Sequence, residues 1–264
     1  DLTIQYLDFS LWQHELVEGE VGERQLRYWR EKLRDAPPTH GLVSDQLRHP
    51  EQAPRSGRHE ARLDAETVVR LHEIAAASRA SLFHALLSLY AAVVGRFADV
   101  DDVVIGFASA NRSNPALQGL IGYLVNSLPA RIDLGGDPGL VALLPRVRDV
   151  VLEAIANQDV PLDVLIDRLG VRGDGSANPM MQLFFSFQEK GQERLRLGTL
   201  ELEPLMADML PRRAPKFDIT LTAERDEGGV SLVWEFDANL FDAATIRLIS
   251  EAFVAMAIKA ATWP

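Results

Sequence analysis

Apolar residues recur along this chain with two periods, and the switches between them divide it into helices and strands. Spacings of three and four residues at Val68, Leu71, Ile74 and Ala75 predict a helix capped by Asp64, with a charged outer face. Over residues 81–97 the apolar positions run nearly all round (Leu82, Phe83, Leu86, Leu87, Tyr90, Val93), which predicts a helix buried between layers and capped by Ser81. Residues 103–108 form a continuous apolar run, the pattern of a strand covered on both faces. Leu128, Ala130, Ile132 and Leu134 alternate with other residues and predict a second strand. Pro129 removes one ladder donor from it and so belongs at an edge or a bulge. Further alternation at Met181, Leu183, Phe185 and Phe187 predicts a third strand, with Gln182, Phe184, Ser186 and Gln188 on its other face. Phe217, Ile219 and Leu221, then a turn at 226–229, then Val230, Leu232, Trp234 and Phe236 predict an antiparallel hairpin.

Helical spacing returns over 139–156, where Pro145 either kinks the helix or marks its true first turn, and again over a short helix opened by Pro161 and closed by Gly170. Asp242 begins a last helix with Ile246, Ile249, Phe253 and Met256 inward. Near the start, 25–34 has helical composition and stops at Ala36, Pro37 and Pro38; residues 39–57 hold no period and read as a long surface connection. Helices and strands interleaved in this way give a two-layer α/β fold, a mixed β-sheet with packed helices.

Composition narrows the function. An apolar fraction of 47% over 264 residues is enough for a sizeable core. A formal charge of -11 argues against general affinity for nucleic acid or anionic membranes, which need clustered Lys and Arg. The absence of cysteine removes disulfides and thiolate metal sites and fits a cytoplasmic location. No apolar run approaches the roughly 20 residues of a membrane span. The chain opens on Asp1 rather than Met, as an excerpt of a longer polypeptide does. Its histidines, at 14, 40, 49, 59, 72 and 84, form no adjacent pair and no His-Glu-x-x-His arrangement, so a metal site is not expected. Asp99, Asp101 and Asp102 lack the glycine and distal glutamate of a calcium loop.

Four segments in order, YLDFSLW at 6–12, IGYLVNSLPAR at 121–131, NQDVPLD at 157–163 and RGDGSANPMMQ at 172–182, resemble the later motifs of the condensation domain of nonribosomal peptide synthetases. YWREKLRDAPP at 28–38, DDVVIGFASANRSNP at 101–115, KFDITL at 216–221 and FDAATI at 241–246 are similar to family sequence as well. Leu162 stands where the family usually has an aromatic residue, and Gly173 and Ala177 depart from its fourth segment. The resemblance implies a lobe like chloramphenicol acetyltransferase, with 1–57 as connector helices and a surface loop and 58–264 as the C-terminal lobe. It implies amide-bond formation between carrier-bound aminoacyl or peptidyl thioesters, antibiotic and other natural-product biosynthesis, and no bound cofactor, the phosphopantetheine arms of the carriers arriving as substrates.

The family's His-His-x-x-x-Asp-Gly motif is absent from the chain. The implied partners are therefore a preceding N-terminal lobe that carries the motif, together with donor and acceptor carrier proteins, and the chain alone is expected to be inactive. By the same resemblance Asn126, Ser127 and Arg131 run beside the tunnel where the two arms meet. Ser186 and Gln188 share a strand face that suits a channel wall, with ordinary packing beside Phe184 on that face an equal alternative. Asn126 has an equal alternative, satisfying the backbone of a bend, and Arg131 a solvated place on a strand. Tyr6, Asp8 and Trp12 read as structural, with Asp8 near a helix N-terminus; Arg172, Asp174 and Asn178 read as shaping the turn before residue 181. The rival functions are a non-catalytic carrier-binding or platform lobe, and a coenzyme A-dependent acyltransferase or epimerisation domain.

Overall fold

The computed structural model describes residues 4–49, 51–112, 114–171, 178–189, 195–202 and 214–262. Two helices, α1 (Tyr6–Glu18) and α2 (Glu20–Lys32), precede a strand, β1 (Ser56–Asp64), and a helix pair, α3 (Ala65–Ala77) and α4 (Leu82–Ala98). There follow β2 (Asp102–Ser109), β3 (Asn126–Asp133), α5 (Leu140–Ala156), α6 (Leu162–Leu169), β4 (Leu183–Glu189), a small hairpin of β5 (Leu195–Leu197) and β6 (Leu200–Leu202), then β7 (Ile219–Asp226), β8 (Gly229–Asp237) and α7 (Ala243–Thr262).

Six of these strands form one mixed sheet in the order β1-β8-β7-β4-β2-β3. β2, β4 and β7 run parallel to one another, and the outer pairs are antiparallel. The strands and the mixed sheet expected from the alternation are all present, and Pro129 lies on the edge strand β3, opposite Gly106. Within the six-stranded sheet, the strand that alternation does not predict is β1, which pairs along its whole length with β8, Gly57 opposite Phe236 and Leu63 opposite Val230. Its sequence, SGRHEARLD, carries almost no apolar alternation; the neighbouring strand's open ladder, rather than local propensity, makes it a strand.

One face of the sheet carries the core. Val103, Ile105 and Phe107 of β2, Leu183 and Phe185 of β4, Ile219 and Leu221 of β7 and Trp234 and Phe236 of β8 are buried there in one cluster with α4 and α7. Helix α4, apolar all round, is the centre of this layer, and Leu86, Leu87, Tyr90 and Val94 have no solvent exposure. Its N-terminus closes as a capping box, in which His84 Nδ1 accepts from the Ser81 backbone N–H at 3.0 Å. Burial, with the Arg148 charge nearby, holds His84 below the usual imidazole range.

Residues 36–49 form neither helix nor strand, but they are strapped to the body rather than loose on its surface. Leu42 is buried, Gln182 Nε2 donates to the Pro38 carbonyl at 3.1 Å, and Asp45 accepts from the Asp242 N–H (2.8 Å) and Thr245 Oγ1 (2.9 Å) at the start of α7. Among the described residues no single helix is long and apolar enough to cross a membrane.

Candidate functional site

Parallel strands fix two ends to the sheet. Gln182 and Asp218 lie at the starts of β4 and β7, whereas Ser109, at the finish of β2, faces Asn126 at the start of β3. The segments resembling family motifs converge mainly on the second end.

Asn126 is 7% exposed, and its side chain is fully engaged. Nδ2 donates to the carbonyls of Gln158 and Val160, both at 2.8 Å, and Oδ1 accepts from the Leu162 N–H at 3.2 Å. One amide thus grips the NQDVPLD segment between α5 and α6 from the edge of the sheet. Two helices complete the grip. Trp29 Nε1 donates to the Asn157 carbonyl (2.9 Å) and Gln13 Nε2 to the Asp159 carbonyl (3.2 Å), so four successive carbonyls, 157 to 160, each take a side-chain donor. Gln25, 1% exposed, donates to Asp159 Oδ2 at 2.7 Å and accepts from the backbone N–H groups of Asp159 and Val160. A buried irregular segment must have its backbone groups satisfied, and here side chains from α1, α2 and β3 do it. Sequence reasoning does not reach Gln13, Gln25 or Trp29; the one signal is a glutamine four residues before a tryptophan, on the same face of a helix.

The preceding loop is held by α1. Tyr6 Oη donates to the Tyr123 carbonyl at 3.1 Å, and the Tyr6 ring lies so close to Gly122 that a Cβ there would come within 2.2 Å of it. Gly122 is thus required for close approach rather than for its dihedrals. Phe9 is buried against Leu117, Leu120 and Leu124, and Trp12 packs next to it at 5.8 Å. Asp8 accepts from the Gln5 N–H at 2.8 Å in a capping box at the start of α1. Tyr6, Leu7, Leu11 and Trp12 on α1 and Ile121 and Tyr123 on the loop leave an exposed apolar surface along this end.

Strand alternation separates the remaining candidates. Asn126 shares the parity of the core residues Leu128, Ala130 and Ile132, while Ser127 and Arg131 lie on the opposite face, turned away from α4. Ser186 and Gln188 lie on that same face of β4. Ser127 is opposite Ala108, Phe107 is level with Phe185, and Ser186 is level with Thr222. A row of small residues, Ser127, Ala108, Ser186 and Thr222, therefore crosses four strands of the half-open face. Ala108 and Thr222 complete it, and no motif in the sequence marks them. Gln188, exposed, donates to Glu224 Oε1 at 2.9 Å. Arg131 is at the other end of its strand. It makes a bidentate pair with Asp102 (Nε to Oδ1 at 3.1 Å, Nη2 to Oδ2 at 2.7 Å) and donates to the carbonyls of Lys32, Arg34 and Asp35, closing the C-terminus of α2. The structure thus brings Ser127 and Ser186 together and sets Asn126 and Arg131 apart from them. Asn178 Oδ1 accepts from the N–H groups of Met180 and Met181, both at 3.0 Å, in the turn before β4. Arg172 and Asp174 lie outside the described residues.

The profile of the condensation domain family matches residues 1–264. The chain belongs to the condensation domain family. Among related proteins, a linear gramicidin synthase chain of Brevibacillus parabrevis is 32% identical over 259 residues, covering 96% of this chain and 5% of that protein. Phosphinothricin tripeptide synthetase PhsC of Streptomyces viridochromogenes is 34% identical over 263 residues, covering 100% of this chain and 24% of that protein. This condensation-family chain thus spans a small part of the synthetases it matches. Its fold is similar to the crystal structure of the X-domain from teicoplanin biosynthesis, with a TM-score of 0.89 at 23% identity over 100% of this chain and 61% of that one. It is similar too to the condensation domain of the Monacolin K polyketide synthase MokA, with a TM-score of 0.83 at 22% identity over 98% of this chain and 62% of that one.

Proposed function

We propose that the chain is the second half of a peptide-bond-forming condensation domain and supplies one wall of the passage in which two carrier-borne groups meet. The observation that carries this reading is the row Ser127, Ala108, Ser186, Thr222, a strip of small side chains on the sheet face turned away from α4, beside the exposed apolar residues of α1 and the 121–125 loop. A narrow chain such as a phosphopantetheine arm needs a wall without large side chains, and the apolar surface suits contact with a preceding lobe. In the reaction the acceptor's amine attacks the donor's thioester carbonyl. A C–N bond forms, the C–S bond breaks, the amine loses a proton and the departing thiolate gains one. Holding both arms together makes an intermolecular aminolysis effectively intramolecular, worth up to about 7–11 kcal/mol when well oriented. Asn126, Gln25 and Trp29 act as positioning residues by fixing the 157–162 segment, and the proton-handling histidine comes from the preceding half.

The test is reconstitution. The chain is mixed with the native preceding half and two loaded carriers, and amide product is measured. Product only when both halves are present supports the reading. Product from the chain alone overturns the division of labour, and none from the complete parent enzyme favours a platform lobe.

A further inference from the structure

The sheet end away from Asn126 holds a cavity of about 490 Å³ between the 36–48 strap, the turn at 178–182 and the start of α7. That is the size of a small-molecule site. Leu42, Met180, Leu240 and Phe241 supply apolar walls. At its base Asp218, 4% exposed, accepts through Oδ2 from His40 Nε2 at 3.2 Å and from Arg48. His40 Nδ1 accepts from the Leu42 N–H at 3.0 Å, so both ring nitrogens are engaged and the ring has no nitrogen left for a ligand or for base catalysis. Burial acts to raise the Asp218 carboxyl, but the hydrogen bonds from His40 and Arg48 and the Arg48 charge outweigh it and hold the group below the usual carboxylate range.

What remains open is a mixed set of polar groups. Among the described residues Asp218 Oδ1 has no hydrogen-bond partner, yet it is not sealed off. Gln182, 8% exposed, uses both Nε2 hydrogens on the carbonyls of Pro38 and Asn178, which leaves Oε1 as a second open acceptor. Asn178 uses Oδ1 on two backbone N–H groups and keeps Nδ2 as a donor. An ammonium offers no lone pair to Asn178 Nδ2, and an anion would face two acceptors. An uncharged chain with two N–H groups and a C=O meets all three open groups, and two linked secondary amides supply them.

We propose that this cavity is a binding site for an uncharged secondary-amide chain, the chemistry shared by a pantetheine arm and a peptide. It is separate from the passage wall proposed above and does not depend on it. The two sources are distinguished by probes. The isotope-labelled 264-residue chain is titrated with pantetheine, with N-acetyl-glycyl-glycine N-methylamide, and with propylammonium and acetate as charged controls, following backbone amide shifts. Saturable shifts at Gln182, Asp218 and Leu240, with Asn126 and Ser127 unmoved, are expected for the amide probes, and saturation by one of them alone names the source. Asn178→Asp keeps the acceptor that Met180 and Met181 need but loses the donor, and should weaken binding at least about threefold. Thr39→Trp, at the exposed lip, should block it with the rest of the spectrum unchanged. No saturable shift with either amide probe, tighter binding of a charged control, or affinity unchanged in both variants overturns the site.

Discussion

The two ends of the sheet solve the same problem, an irregular segment laid over strand termini, with different chemistry. At the finish of β2, amides do the work: Asn126 and Gln25 hold the 157–162 segment through hydrogen bonds of their neutral side chains, and these leave Asn126 fully engaged. At the start of β7, charge does it: His40 and Arg48 hold the strap on a buried carboxylate, and one oxygen is left over. A saturated clamp of neutral side chains gives rigidity. A charged clasp is tied to protonation and keeps an acceptor that a ligand can use.

The comparison is broken most severely at the neutral end. Asn126→Ala strands two carbonyls and an N–H in a buried place, at about 1–3 kcal/mol each, and is expected to lower stability by about 3 kcal/mol or more in denaturant titration. In the complete enzyme the rate per folded molecule then decides whether Asn126 only positions the segment, in which case it holds, or touches the reacting groups, in which case it falls. Next comes Arg48→Met. Asp218 keeps His40 as a donor, so the loss should be about 2 kcal/mol, visible as a lower urea midpoint.

Acid separates the two ends further. Asp218 titrates below its ordinary value of 3.8 in the folded chain, so the unfolded state binds the proton first, and stability from the clasp, full above that value, is lost as pH falls through the folded pKa. His84 is likewise lowered from 6.5, so its contribution is complete above that pH and drains away as pH falls below it. Stability against pH should show a shallow step starting near 6.5 that His84→Gln removes, and a second below 3.8 that Asp218→Asn removes. Asn126→Ala should shift the whole curve down with its shape kept. The smallest effect is expected at Gln188→Ala. Its bond to Glu224 is exposed, and the thermal midpoint should move by no more than about 0.5 kcal/mol in equivalent stability.

Much of this is legible from one sequence because its signals are local. The all-apolar helix α4, the alternating strands and the hairpin at 226–229 declare themselves within a dozen residues, and the shared face of Ser186 and Gln188 follows from parity alone. The shared face that unites Ser186 with Ser127 needs the strand order, which no single strand encodes. Gln25 meets Asp159 across 134 residues, and a hydrogen bond over that separation leaves no periodic trace. β1 escapes sequence reading for a related reason, since its partner β8 supplies the pattern that its own residues lack.

The strand order of the six-stranded sheet also leaves two outer ladders, those of β1 and β3, and each is spoiled as a template for another strand. β1 exposes Glu60 and Arg62; β3 contains Pro129 and has the 157–162 segment fastened over its first residue. Synthetases such as those matched above are long polypeptides of which this stretch is 5 to 24%. Where similar sheets are strung along one chain at high local concentration, an uncapped ladder would invite mispairing between neighbours during synthesis. Charge on one flank and an imino acid on the other let such a sheet fold beside its own kind without joining it.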